Sequence, residues 1–297
     1  MSIIIAKIEN NECVFISDTK VSIDNGDKTV TGGNKIRMSP NEGVLKVHIL
    51  SHKICIAYAG NVEIATKIIH SFIIQKPQSL EEIVTYFQNQ LKLENDTSEF
   101  ILGIVLDDNI PALYKINSNN IEEGKSFWIG EHKAFDEFQS YFINSNSTNS
   151  ILDNATEAFR QLLHNTKIDT IGDFIISSYY NTRFNSFIYD LRSEAFGGYK
   201  TIEVKAGESV TLTEGTVEEG AFVVTNLISN NTGYPAICLY FSKGKIGFLY
   251  IPISVKNTDV KPLIITGTKT EIIEKIKQEF GIELMGMEIN NGIFKFS

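Results

Sequence analysis

The sequence predicts a layered α+β fold, and three features of the 297-residue chain carry that prediction. The chain begins with two apolar, β-branched strands joined by an Asn-Asn turn. Residues 2–195 contain two strand-rich stretches, each followed by a pair of amphipathic helices, and then further strands. The residues from about 197 onward are strand-like with one helix. Sheets that alternate with segregated helices are typical of a layered α+β or α/β sandwich.

The first strand-rich stretch begins at the second residue, where most chains have a loose terminus. The segments "IIIAKIE" and "ECVFISD" are spaced as a β-hairpin. A polar, Gly-rich loop, "SIDNGDKTVTGG", leads to a short strand, "NKIRMS". The segment "GVLKVHILSHKICIAYAG" then predicts a second hairpin that ends at Ala59-Gly60.

Apolar residues recur at helical spacing in four later segments. In "NVEIATKIIHSFII" one side of the helix takes Val62, Ala65, Ile68, Ile69 and Phe72. The segment "SLEEIVTYFQNQL" has Ser79 as its cap and an acidic first turn, which is a helix start signal. The other two helices are "EHKAFDEFQSYFIN" and "ILDNATEAFRQLLHN". The strands between and after the helices are "EFILGIVLDD", "PALYKINS", "KSFWIG", "DFIISSYYN" and "FNSFIYDL".

After Phe196-Gly197-Gly198 the segments become mainly strand-like, and this change predicts two parts. Residues 1–196 form the layered domain. Residues 197–297 form a β-rich C-terminal extension or small domain. Its one helix, "TEIIEKIKQEF", is expected to cover a sheet through Ile272, Ile273, Ile276 and Phe280.

Composition excludes several classes of protein. A net charge of -9 argues against nucleic acid or an anionic membrane as the main partner. Three cysteines without motif spacing indicate buried thiols in a reducing compartment. The opening apolar run is too short for a signal peptide or a membrane span, so we expect a cytoplasmic protein. The five histidines show no metal-ligand spacing, and no cofactor or metal is expected.

Ser2 is the first candidate for chemistry. A small residue after the initiator Met permits removal of that Met, which would make Ser2 the N-terminus. Its hydroxyl would then lie beside a free α-amino group, whose unperturbed pKa is about 7.7–8.0. An N-terminal amine can act as the base for its own residue's hydroxyl. Such a site needs a rigid terminus, which a first strand provides; alternatively, Ser is simply a common second residue.

The first half of the chain resembles the proteasome β-subunit family of N-terminal nucleophile hydrolases, and within it the bacterial HslV type. The resemblance rests on an ordered set of motifs: "SIIIAKIENNECVFISDTK", "NKIR", "ICIAYAGNVEIA", "KSFWIGEHKAF" and "IDTIGDFIISSYYN". It covers about residues 2–195. It implies a four-layer αββα sandwich in this region.

The resemblance also implies a set of site residues. Ser2 would be the nucleophile, Lys35 would lower the pKa of the terminal amine, and Asp18 would pair with Lys35. The Gly60 N–H would stabilise the oxyanion, and Asp169 would lie beside the nucleophile. Tyr58 and Val62 would line the substrate pocket.

The sequence departs from the family at several points. The nucleophile is Ser instead of the usual Thr, and Gly130 is followed by Glu131 instead of Ser. The second family serine aligns with Gly172 or with nothing. These departures leave two functions open: a peptidase or amidohydrolase acting through Ser2, or a non-catalytic assembly or binding subunit. The family implies a homo-oligomer, and an unfoldase partner follows from family analogy alone.

Overall fold

The computed structural model describes most of the chain. The described residues are 2–20, 43–106, 109–145, 150–165, 168, 171–172, 174–191, 193–196, 199–202, 211–214, 222–229, 235–241, 245–290 and 293–296. Within them the fold is mixed α+β, with antiparallel sheets and five helices.

Within the described residues, strands and helices follow the order that the sequence predicts, while the predicted strand at residues 34–39 lies outside them. The strands before the last helix pair of the first part are β1 (Ile3–Glu9), β2 (Glu12–Asp18), β3 (Val47–Ser51), β4 (Ile54–Ala59), β5 (Glu99–Val105), β6 (Pro111–Ile116), β7 (Ile121–Gly124) and β8 (Ser126–Gly130). The helices are α1 (Val62–Gln75), α2 (Leu80–Glu94), α3 (His132–Ile143), α4 (Ile151–Asn165) and α5 (Lys269–Phe280). The later strands are β9 (Ile175–Asn181), β10 (Ser186–Tyr189), β11 (Ser193–Phe196), β12 (Tyr199–Ile202), β13 (Thr211–Glu214), β14 (Phe222–Ile228), β15 (Ile237–Phe241), β16 (Ile246–Tyr250), β17 (Leu263–Thr266), β18 (Met287–Asn290) and β19 (Ile293–Phe296).

The described residues divide into two compact units. The first unit takes those within Met1–Thr19, Leu45–Asp190 and Ile251–Val260, and the second takes those of the remaining segments. The sequence predicts a boundary after residue 196. In the structure the long run of the first unit ends at Asp190, and β11 pairs with β14 in the second unit.

The first unit contains two five-stranded antiparallel sheets. One has the strand order β10-β9-β2-β1-β8 and the other β3-β4-β5-β6-β7. Side chains of the two sheets meet where Cys55 on β4 approaches Ser178 on β9, with 3.8 Å between Sγ and Oγ. Burial raises the pKa of the Cys55 thiol above its ordinary value, so this thiol stays protonated at neutral pH.

Each sheet also contacts its own pair of helices. The helices α3 and α4 share an apolar core with β1 and β2, in which Phe138, Phe159, Ile3 and Ile16 are buried. Against the other sheet, α1 buries Ala65, Ile68, Ile69 and Phe72, four of the five residues that the helical periodicity selects. The Ser79 cap of α2 is present as a full capping box with Glu82.

The second unit has a five-stranded sheet of order β11-β14-β15-β16-β17 and two separate hairpins, β12–β13 and β18–β19. Ile272 and Ile276 of α5 are buried, and a Cβ on Gly247 of β16 would lie 3.3 Å from Ile272. Phe280, expected on the same face, is exposed. The helix therefore contacts the sheet over a narrower stripe than its sequence predicts.

Candidate active site

A buried ion pair lies at the end of β2, next to the start of β1. The side chains of Asp18 and Lys46 are 0% and 2% exposed, with 2.8 Å between Oδ1 and Nζ. The same Oδ1 accepts a hydrogen bond from the backbone N–H of Ile3 at 3.0 Å. The other oxygen, Oδ2, accepts from the N–H of Gly172 at 2.9 Å. The carboxylate therefore joins the first strand, Lys46 and the segment that precedes β9.

Ser2 is held by its own backbone. Its carbonyl oxygen accepts a 2.7 Å hydrogen bond from the N–H of Glu131, and the residue is only 9% exposed. Gly130 makes that approach possible, because its φ is +102° and a Cβ there would lie 1.9 Å from the Ser2 oxygen. With the Asp18 contact at Ile3, both polar groups of the Ser2–Ile3 peptide are hydrogen-bonded.

Lys46 stands just before β3, and its backbone is also held. Its carbonyl accepts from the N–H of Tyr58 at 3.2 Å. The preceding carbonyl, that of Leu45, accepts from the Tyr58 hydroxyl at 3.2 Å and contacts His48 Nε2 at 3.0 Å. These contacts fix the backbone from which the lysine side chain extends towards Asp18.

His48, which contacts the Leu45 carbonyl, is a fully buried histidine. Its imidazole stacks on Tyr58 with ring centroids 5.8 Å apart, and it has no exposed surface. Because a carbonyl oxygen faces Nε2, that nitrogen carries the proton. Within the described residues, the acceptor Nδ1 has no hydrogen-bond partner. Burial lowers the pKa of His48 from 6.5 to about 3, so the ring is neutral near pH 7.

Gly60 lies at the turn between β4 and α1. Its φ is +124°, and a Cβ there would come within 2.4 Å of the Ser98 hydroxyl, which accepts from the N–H of Asn61 at 2.8 Å. Asn61 caps α1 through its side chain. Ser98 therefore leaves no room for a side chain at position 60, although Gly60 itself is exposed.

The structure brings together only part of the site expected from the sequence. Asp18 binds the N–H of Ile3, the residue that follows Ser2, whereas the contacts of Gly60 are with Ser98 and the start of α1. Tyr58, expected to line a pocket, is 1% exposed, and Val62 is half-buried. Lys35 and Asp169 lie outside the described residues, so their expected roles stay predictions.

Lys46 is the site residue that sequence reasoning missed. The sequence predicts Lys35 beside Asp18, and that residue lies outside the described ones; the described lysine that contacts Asp18 is Lys46. Its signal is a single charge inside the apolar segment "GVLKVHIL", where every residue from Gly43 to Ile49 is buried. A buried charge needs a partner of opposite sign, which makes such a lysine a site candidate.

The described residues contain no group of three or more His, Cys, Asp or Glu side chains able to hold a metal ion. No helix among them has the length and apolar character needed to cross a membrane.

Comparison with known proteins corrects the expected resemblance. The chain matches no family model and no curated protein. It is similar to a solved Anbu (Gly-1) mutant from Hyphomicrobium sp. strain MC1, at 16% identity and a TM-score of 0.49, over 64% of this chain and 85% of that chain. It is also similar to Anbu, an ancestral β-subunit, from Yersinia bercovieri, at 16% identity and a TM-score of 0.45, over 60% and 80% of the two chains. The expected closeness to the HslV type is therefore wrong.

Proposed function

We propose that the chain is an N-terminal nucleophile hydrolase that cleaves peptide or amide bonds with Ser2 after removal of Met1. The observation that supports it most directly is the buried pair of Asp18 and Lys46, whose shared oxygen also binds the N–H of Ile3. A buried ion pair is a costly arrangement, and this one adjoins the residue whose hydroxyl and amine would react.

The proposed chemistry uses the free amine of Ser2 as its base. The amine takes the hydroxyl proton as Oγ attacks the carbonyl carbon of the substrate, and then protonates the leaving amine. This forms an acyl-enzyme on Ser2, which a water molecule, activated by the same amine, hydrolyses. The positive charge of Lys46 nearby lowers the pKa of the amine, so that more of it is neutral at pH 7. Asp18 holds Lys46 in place.

The remaining roles extend the same proposal. The N–H of Gly60 donates to the oxyanion, where a preorganised donor has its largest effect. Val62 contacts the substrate and Asp169 supports the nucleophile, whereas Tyr58 is too buried to contact a substrate. The first unit is then a four-layer αββα sandwich, which agrees with the contacts of each sheet to its own helix pair.

Turnover of short peptides by N-terminal variants tests the proposal. Ser2→Ala is expected to abolish hydrolysis, and Ser2→Thr is expected to keep it, because Thr supplies the same hydroxyl. Lys46→Ala and Lys35→Ala separate the two candidate lysines, and the contact with Asp18 supports Lys46. Hydrolysis that persists unchanged in Ser2→Ala refutes the nucleophile.

A non-catalytic subunit is the second candidate. It is favoured by the burial of Ser2 and Tyr58, because a substrate has little exposed surface of either residue to contact. It predicts that Met1 remains on the protein purified from its own cells, and that no variant of Ser2 changes any hydrolytic rate. The expected cytoplasmic location and homo-oligomer are compatible with both candidates.

A further inference from the structure

One segment of the C-terminal part of the chain belongs to the first unit. Residues Ile251–Val260, here called the strap, lie between β16 and β17, and both of these strands belong to the second unit. Pro252, Ile253 and Val260 of the strap are buried. The chain thus leaves the second unit, packs into the first, and returns.

The strap ends in a hydrogen bond next to Lys46. The backbone N–H of Leu45 donates to the carbonyl oxygen of Val260 at 2.9 Å, and both residues are buried. The carbonyl of Leu45 is the one that contacts Tyr58 and His48. Both backbone polar groups of Leu45 therefore have partners, and one of the two depends on the strap.

The side chain of Asn257 joins the two ends of the strap. The Nδ2 of Asn257 donates to the carbonyls of Ile251 at 2.8 Å, Asp259 at 3.0 Å and Pro252 at 3.3 Å. The backbone N–H of Asn257 donates to the Ser254 hydroxyl at 3.1 Å. Asn257 therefore joins the start of the strap to the residue just before Val260.

We propose that the strap is a positioning element for Lys46, and that Asn257 is its positioning residue. The lysine reaches Asp18 through a long, flexible side chain, so the place of its ammonium depends on where the backbone at residues 45–46 is held. Fixing Leu45 from the strap keeps Nζ on the Asp18 oxygen that also binds Ile3. This inference rests on the proposed function, and it makes residues 251–260 part of the active-site support.

The test compares Asn257→Ala with Asn117→Ala in the full chain. Asn117 is the matched control, because its side chain holds the β6–β7 turn by accepting from the N–H groups of Asn119 and Asn120. In Asn257→Ala, kcat is expected to fall by about tenfold to a hundredfold with little change in KM, since a misplaced catalytic group lowers the rate of the chemical step. Hydrogen exchange at the Leu45 amide is expected to speed up. The control is expected to change neither.

Exchange at Leu45 is measured whether or not the protein hydrolyses anything. If wild type shows no Ser2-dependent turnover, the proposed function fails, while faster exchange at Leu45 in Asn257→Ala still supports the strap. Leu45 exchange and kcat that match the Asn117→Ala control overturn the proposal. If Asn257→Ala does not fold, Asn257→Asp, which loses the same Nδ2 donors but keeps the side-chain shape, gives the same two readings.

Discussion

At the scale of single residues, the pair of Asp18 and Lys46 is the feature most in need of explanation. Moving two charges out of water costs several kcal/mol for each ion, and a well-packed apolar pair of similar volume is often as stable or more so. Stability alone therefore gives little reason to keep this pair. A role in setting the charge around Ser2 gives one, because Asp18 also binds the amide of the next residue.

Breaking the buried pair is expected to cost more stability than breaking an exposed ion pair. Lys46→Ala leaves the Asp18 charge buried without this partner and is expected to lower the free energy of unfolding by about 3–5 kcal/mol. Lys67→Ala is the control, because Lys67 pairs with Glu94 while 66% exposed, and such pairs contribute under about 1 kcal/mol. Urea unfolding measures both. Equal losses in the two variants would show that the Asp18 pair is solvated.

His48 predicts a pH dependence of stability. Its pKa is about 3 in the folded protein and about 6.5 when unfolded, so protonation favours the unfolded chain. Its contribution is fully present above pH 6.5 and is lost as the pH falls towards 3, by up to about 1.4 kcal/mol per pH unit. His48→Gln keeps a donor for the Leu45 carbonyl and is expected to flatten this slope between pH 6.5 and 4.

The matched control for that slope is His52→Gln, at an exposed histidine of the β3–β4 turn. Urea unfolding of this variant over the same pH range measures the effect of losing an exposed histidine instead of a buried one. A slope that survives in His48→Gln would assign acid lability to other groups.

At the scale of elements, the turn between β8 and α3 fixes the start of the chain. The Glu131 N–H holds the Ser2 carbonyl, and the φ of +102° at Gly130 allows it. The turn between β4 and α1 uses Gly60 in a similar way against Ser98. The turns at Gly130 and Gly60 thus lie at the ends of strands that carry the candidate site.

Gly130→Ala tests the first of these turns. The added Cβ would lie 1.9 Å from the Ser2 oxygen, so the backbone must shift and the Glu131 hydrogen bond must lengthen or break. We expect the free energy of unfolding to fall by more than the roughly 1–3 kcal/mol that backbone strain of this kind typically costs. Turnover is expected to fall by about tenfold or more. Thermal unfolding and peptide hydrolysis measure the two effects.

Gly281→Ala is the matched control, since φ is +67° there and a Cβ would meet nothing within 4 Å. It is expected to cost about 1 kcal/mol and no activity. If both variants behave alike, close approach to Ser2 is not what requires glycine at position 130.

Local patterns predicted the elements well because each depends on neighbours in sequence. The Ser79 cap and the apolar stripe of α1 are readable from a few residues. Lys46 could not be placed this way, because its partner Asp18 is 28 residues away and nothing in the sequence fixes which lysine meets it. The close approach of Gly130 to Ser2 also joins distant segments, so local sequence patterns do not predict it.

At the scale of the whole molecule, the two compact units are interleaved along the chain. A boundary near residue 196 follows from the change in sequence texture, but the strap returns to the first unit more than fifty residues later. Local sequence patterns predict strands and helices, but they do not predict which unit a loop packs into. The strands on either side of the strap could therefore be predicted, whereas the packing of the strap into the first unit could not.

A chain that ends at Phe196 tests whether the first unit needs the strap. It lacks Val260, so the Leu45 amide loses its acceptor, and we expect Ser2-dependent turnover to fall by about tenfold or more. Light scattering on the same fragment and on the full chain tests the expected homo-oligomer, which we predict to be a small assembly. A folded fragment with full turnover and unchanged oligomeric state would show that the last third is neither core nor interface.

The central claim is that Ser2 is the N-terminal nucleophile, and one measurement tests it most directly. The protein is purified from its own cells, treated with a hydroxyl-reactive inhibitor of peptidases, and analysed by intact mass and peptide mapping. If Ser2 is the nucleophile, the chain begins at Ser2 and carries one inhibitor adduct on that residue, and Lys46→Ala carries no adduct. A chain that keeps Met1, or an adduct on any other residue, would contradict it.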